Sequence, residues 1–149
     1  MGELVSWYMY VFGGNARKAA LDIIRLFDEW AVEDYGYELD IGIPGHYMDR
    51  EDIGYVFVDL GDFLHEKTHL GEVEWFLNKD DRLWRLRVTL IMHGARRLLI
   101  WGVPEYGERF YAVVVDIPSG RNVFEVVDDR LVAYVVSDAV LHSCDGEKQ

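Results

Sequence analysis

Cysteine is nearly absent from this chain of 149 residues, and Cys144 is the only one. A single thiol cannot build an internal disulfide framework, so stability has to come from a packed core. Proline is scarce as well, at three residues, which leaves few breaks in regular structure. Lys and Arg number 15 against 27 Asp and Glu, for a net charge of −12. So acidic a chain lacks the cations that broad nucleic-acid binding uses to displace counterions. No apolar run approaches the roughly 20 residues of a membrane-spanning helix. The start, Met1-Gly2-Glu3-Leu4-Val5-Ser6-Trp7, has no basic region and no small-residue cleavage site, so a cytoplasmic protein is expected.

What is present is the composition of a globular protein. Half of the residues are apolar and 14% are aromatic. The length suits one domain over residues 1–142, followed by a polar tail at 143–149. Residues 6–12 are rich in aromatics and read as a strand. Gly13-Gly14-Asn15 then forms a turn, with Asn15 as an N-cap. Over 16–34 the residues Ala20, Ile23, Ile24, Phe27, Trp30 and Ala31 recur at spacings of three and four, the mark of an amphipathic helix. Short strands are expected at 38–43 and 55–60, with a polar loop at 45–54. Six further strands follow from the pattern: 72–77, 82–92, 97–103, 109–117, 122–127 and 130–137. The first two read as a hairpin in which Trp75 faces Trp84, Val73 faces Leu86, and Glu74 and Glu72 meet Arg85 and Arg87. The expected fold is α+β: a β-α-β opening, then a six-strand antiparallel meander, curved or partly closed into a barrel, packed on one main helix.

Charge is unevenly distributed. Residues 1–81 carry 18 acidic and 6 basic side chains, so they hold the whole net charge. Within 28–66 there are 12 acidic residues against Arg50 alone. The helix has Arg17 and Lys18 in its first turn and Asp28, Glu29, Glu33 and Asp34 near its end, the reverse of what its dipole favours. Three explanations fit. The acids pair with the arginines concentrated at 82–97, or are simply solvated. Alternatively, Asp28, Glu29, Glu33, Asp34, Glu38, Asp40, Asp49, Glu51 and Asp52 form a face that docks a basic protein, or a nucleic-acid-binding protein whose site the acids occupy, as inhibitor and immunity proteins do. Or Asp49, Glu51 and Asp52 hold a cation, though they lack the glycine and closing glutamate of an EF-hand loop.

Two motifs carry chemistry. His65-Glu66-Lys67-Thr68-His69 has the form H-E-x-x-H and resembles, over those five residues, the zincin metallopeptidases. The resemblance implies zinc, with His65 and His69 as ligands, Glu66 as general base, and a hydrolase activity. It requires a helix at 62–70 and a third ligand, for which His93 and Glu72 are candidates. Lys67 departs from the pattern, since that helix is normally packed in a core. The second motif is Gly13, Gly14, Asn15, Arg17 and Lys18, where a helix N-terminus with two cations suits an anion. Trp75, Trp84, Trp101 and Tyr111 fit core packing, base stacking or a homodimer interface. Cys144, two residues from His142 in the tail, lacks the rigid electropositive setting of a catalytic thiol. The function expected first is therefore a non-catalytic binding protein with no cofactor. A zinc hydrolase and a small-molecule binder are the alternatives.

Overall fold

Strand β1, Val5–Phe12, alternates as its sequence demands: Val5, Trp7, Met9 and Val11 are buried on one face, while Tyr8 and Tyr10 lie half-buried on the other. The computed structural model to which it belongs describes residues 4–39, 41, 47–50, 55–65, 67–106 and 109–128. Helix α1, Ala16–Tyr35, follows, and its buried side includes the whole expected stripe. Asn15 caps it by accepting a hydrogen bond from the Lys18 N–H at 3.3 Å, and Gly36 ends it in the left-handed region at φ +80°. Asn15→Ala is expected to cost about 1 kcal/mol, read as a lower urea midpoint at unchanged slope.

The remaining elements are β2 (Tyr47–Arg50), β3 (Tyr55–Gly61), α2 (Leu70–Asn78), α3 (Arg82–Met92), β4 (Arg97–Pro104), β5 (Arg109–Asp116) and β6 (Asn122–Asp128). The strands form one antiparallel sheet in the order β2-β3-β1-β4-β5-β6. β2 and β6 are its edges, so the described sheet is open rather than a barrel. All three helices share one buried cluster with the inward residues of the sheet, among them Trp7, Met9, Val58, Ile100 and Val113. The α+β class with an antiparallel sheet packed on α1 is as the sequence implies. No helix of the described residues is long and apolar enough to cross a membrane.

Two segments differ from expectation. The hairpin at 72–77 and 82–92 is instead the helix pair α2 and α3, so three helices cover the sheet. Val73, Phe76 and Leu77 are buried along α2, and Leu86 and Leu90 along α3, all at helical spacing. Trp75 and Trp84, placed face to face in a hairpin, are instead 56% and 65% exposed. Glu72 binds His65, Arg85 lies near Glu29, and Arg87 donates to the Asp116 carbonyl and to Asn122, so neither expected Glu–Arg pair forms. The second difference is β2, which occupies part of the expected 45–54 loop, while residues 38, 39 and 41 pair with no strand. The strand expected at 130–137 and the tail at 143–149 lie outside the described residues.

Opposite Trp7 in the neighbouring strand stands Gly102. A Cβ there would come within 2.7 Å of the indole ring, so only glycine lets the ring lie across β4. The indole stacks on Tyr111 with ring centres 5.9 Å apart. Its buried Nε1 has no hydrogen-bond partner among the described residues.

Candidate functional site

The zinc motif does not form a helix. His65 sits in a tight turn, where its N–H donates to Thr68 Oγ1 and its carbonyl accepts from the Thr68 N–H, both at 3.0 Å. The Lys67 N–H donates to His65 Nδ1, which leaves the proton on Nε2 to be donated to Glu72 Oε2 at 2.6 Å. His69 is the N-cap residue of α2, and its Nδ1 shares a hydrogen bond of 3.1 Å with the Tyr111 hydroxyl. The two imidazoles therefore bind different partners, one on the surface and one over the sheet. The i, i+4 helical arrangement needed to ligate one metal is not formed. Of the two candidate third ligands, Glu72 lies beside His65, whereas His93 is bound to Asp22 at 2.7 Å. Glu66 lies outside the described residues. Among those described, no three His, Cys, Asp or Glu side chains converge.

The glycine turn has a packing explanation. Asn15 N–H donates to the His93 carbonyl at 2.7 Å, and Arg96 N–H to the Phe12 carbonyl at 2.8 Å. The β1–α1 turn and the α3–β4 turn thus lie against each other. Gly14, at φ +56°, faces the backbone of His93 and Gly94, and Gly13 faces the Arg96 side chain. Asn15 already occupies one N–H of the helix start, and Arg17 has a partner of its own. Lys18 is exposed.

The acidic end of α1 is largely engaged within the fold. Asp34 has a fully buried carboxylate that accepts from both Arg82 nitrogens, at 2.7 and 3.0 Å, and from Lys79 at 2.6 Å. Arg82 also donates to Glu33 and to the Phe76 carbonyl, and its guanidinium lies over the Trp30 and Phe76 rings. Its hydrogen bond holds the Asp34 carboxyl below the usual range against the effect of burial, with Lys79 assisting. Burial disfavours the Arg82 charge, but the bonds to Asp34 and Glu33 outweigh that and raise its pKa. Glu29 lies 3.7 Å from Arg85 at the surface, and Asp28 accepts from the Leu39 N–H, pinning the chain that leaves the helix. These cations offset Glu29, Glu33 and Asp34 at the acidic end of the helix. Arg97 likewise binds Asp116 at 3.0 Å. Burial of Asp116 opposes its ionisation, yet hydrogen bonds from Ser119 and Arg97 keep its carboxyl below the usual range.

Of the remaining acidic candidates, Glu38 is exposed. Asp40, Glu51 and Asp52 lie outside the described residues, and Asp49 is described only by its position in β2 opposite Val56. Glu38 borders a feature that no linear spacing announces. The chain after α1 and the chain after β3 enclose a recess of about 300 Å³, lined by Tyr37, Leu39, Ile41, Leu60, Gly61, Asp62, Phe63 and Leu64. The Tyr37 hydroxyl bridges its two sides by donating to the Leu64 carbonyl at 2.8 Å. Leu64 itself is held at φ +69°, a conformation a branched side chain adopts only when its surroundings enforce it. Neither Glu38 nor Asp62 forms an ion pair among the described residues.

No protein-family profile, curated protein or solved structure matches this chain at a significant level.

Proposed function

We propose that the chain is a non-catalytic binding protein that docks a basic protein through the recess between residues 37–41 and 60–64. The observation that carries this reading is a recess lined largely by apolar residues together with two carboxylates, Asp62 in its lining and Glu38 between the lining residues Tyr37 and Leu39, that pair with no cation among the described residues. An arginine or lysine has an aliphatic stem suited to such a recess and a charged head suited to its rim. The remaining negative charge of the chain adds steering of a basic partner toward the protein. Four of the five arginines at 82–97, Arg82, Arg85, Arg87 and Arg97, are already engaged with partners within the fold.

The test uses fluorescein-labelled peptides that alternate arginine with leucine, or glutamate with leucine, titrated with the protein. The arginine peptide is expected to bind and the glutamate peptide is not. Binding should weaken at least about tenfold when salt rises from about 50 to about 300 mM, as charges become screened. Glu38→Gln with Asp62→Asn should weaken it by about tenfold, or about 1.4 kcal/mol. Arginine-peptide affinity that ignores both salt and this double variant would refute the proposal.

A further inference from the structure

Helix α3 is apolar on two sides. Arg82, Leu86 and Leu90 are buried on its inner side. Trp84, Val88 and Ile91 recur at spacings of four and three on the opposite side, with Met92 beside them. Trp84 is 65% exposed, Ile91 57% and Met92 74%. No polar side chain interrupts this outer ridge, because each of the four on the helix is engaged elsewhere. Arg82 holds Asp34 and Glu33, and Arg85 lies beside Glu29 of α1. Arg87 donates to the Asp116 carbonyl and to Asn122, and Thr89 donates to the Arg85 carbonyl. A helix that is apolar on both sides is one that is covered on both sides.

We propose that a second copy of the chain covers this ridge, in a two-fold dimer whose α3 helices run antiparallel about Val88. The ridge is self-complementary in that register. Trp84 packs against the partner's Met92, an aromatic ring against a flexible thioether, while Val88 meets its own counterpart on the axis. Charge agrees with it. The start of α3, with Asp80 and Asp81, comes beside the end of the partner helix, with its His93 and Arg96, so the helix dipoles oppose as well. Asp80, Asp81 and Arg96 form no ion pair among the described residues. Residues 82–92 hold no acid, so the contact brings no carboxylates of α3 together. A parallel pairing would set the Asp80 and Asp81 ends of two copies side by side. The exposed ridge offers a few hundred Å², less than the about 800 Å² per copy of a standard interface, so the dimer is a weak one. Each copy also carries −12, and that repulsion opposes association until salt screens it. The dimer is thus expected to tighten with salt, the reverse of peptide binding at the recess.

Sedimentation equilibrium of the full chain at about 5–200 μM is the test. The parent is expected to pass from one chain mass to two, with a Kd on the order of 10 μM that falls several-fold between about 50 and about 300 mM salt. Val88→Glu sets two carboxylates face to face on the axis, and Ile91→Lys places a charge on the ridge. Each should weaken the dimer at least about tenfold, and circular dichroism confirms which variants fold. The register is read in a Cys144→Ser background. Val88→Cys should form a disulfide-linked dimer on mild oxidation, since packed helices bring residues on the axis within disulfide reach. Lys18→Cys, exposed on α1, should not. A chain that stays monomeric at about 200 μM would overturn the proposal. So would a dimer that the folded variants leave intact, one that weakens with salt, or a Val88→Cys protein that cross-links no better than Lys18→Cys.

Discussion

Replacing Arg82 with alanine is expected to lower stability by about 3–5 kcal/mol, among the largest effects of any single substitution in this chain. The guanidinium is 2% exposed and the Asp34 carboxylate it neutralises is fully buried. Removing Arg82 leaves that carboxylate with Lys79 alone, strips a donor from the Phe76 carbonyl and opens a gap between Trp30 and Phe76. Asp34→Asn should cost less, since the amide oxygen still accepts a hydrogen bond and the Arg82 guanidinium left behind keeps Glu33 and the Phe76 carbonyl as partners. The double variant Asp34→Asn/Arg82→Met should be less damaged than the sum of the single ones, and chemical denaturation of all four proteins measures that coupling. The pH dependence has a definite sign. The Asp34 pKa is lower in the folded state, so at mildly acidic pH the unfolded chain binds more protons. The stabilisation is complete above the unfolded carboxylate value of about 3.9 and is lost as pH falls through the lower folded value. Below about pH 4 the parent should therefore lose stability more steeply than Asp34→Asn. Equal slopes in the two proteins would show that Arg82 does not hold this carboxylate ionised.

That cluster also shows where sequence reasoning reaches its limit. The reversed charges of α1 announced that cations had to come from elsewhere, and the arginines at 82–97 were the evident source. Which arginine reaches which acid depended on α3 being a helix, and there the pattern was ambiguous. Val73, Trp75 and Leu77, with Trp84 and Leu86, satisfy a period of two. Val73, Phe76 and Leu77, with Leu86 and Leu90, satisfy helical spacing equally well. The matching Glu–Arg positions reinforced the wrong period. Propensity pointed the other way: residues 82–92 contain three leucines, three arginines and a methionine, with no glycine or proline, and eleven residues is long for a strand. By contrast β1 and α1 were legible because one periodicity dominates each, and β4, β5 and β6 because they are short runs rich in apolar and β-branched residues bounded by turn residues. The recess was not legible. Its walls are two loops separated in sequence by β2 and β3, and its acidic rim consists of single residues with no motif. Gly13 and Gly14 were conspicuous, but their partner at His93 and Gly94 lies about 80 residues away along the chain.

The contact between those two turns underlies the second large effect. Gly14→Ala is expected to cost about 3 kcal/mol or more. A left-handed backbone at φ +56° costs a side chain about 1–2 kcal/mol. The new methyl would also lie 2.3 Å from the Gly94 carbonyl and 2.4 Å from the His93 carbonyl oxygen, all main-chain atoms that cannot rotate away. Overpacking of that kind adds about 1–3 kcal/mol. Relief requires separating the two turns, which would stretch the Asn15 bond to His93 and the Arg96 bond to Phe12. Gly36→Ala supplies the control. Gly36 has φ +80° but nothing within 4 Å of an added Cβ, so it carries only the conformational part, about 1–2 kcal/mol. The difference between the two variants in chemical denaturation therefore isolates the steric contact. Hydrogen exchange should localise it, with the Asn15 and Arg96 amides losing protection in Gly14→Ala but not in Gly36→Ala. Equal losses for both variants would mean that the start of α1 does not rest against the end of α3. The position of the helices over the sheet, and with it the placement of Arg82 beside Asp34, would then need a different explanation.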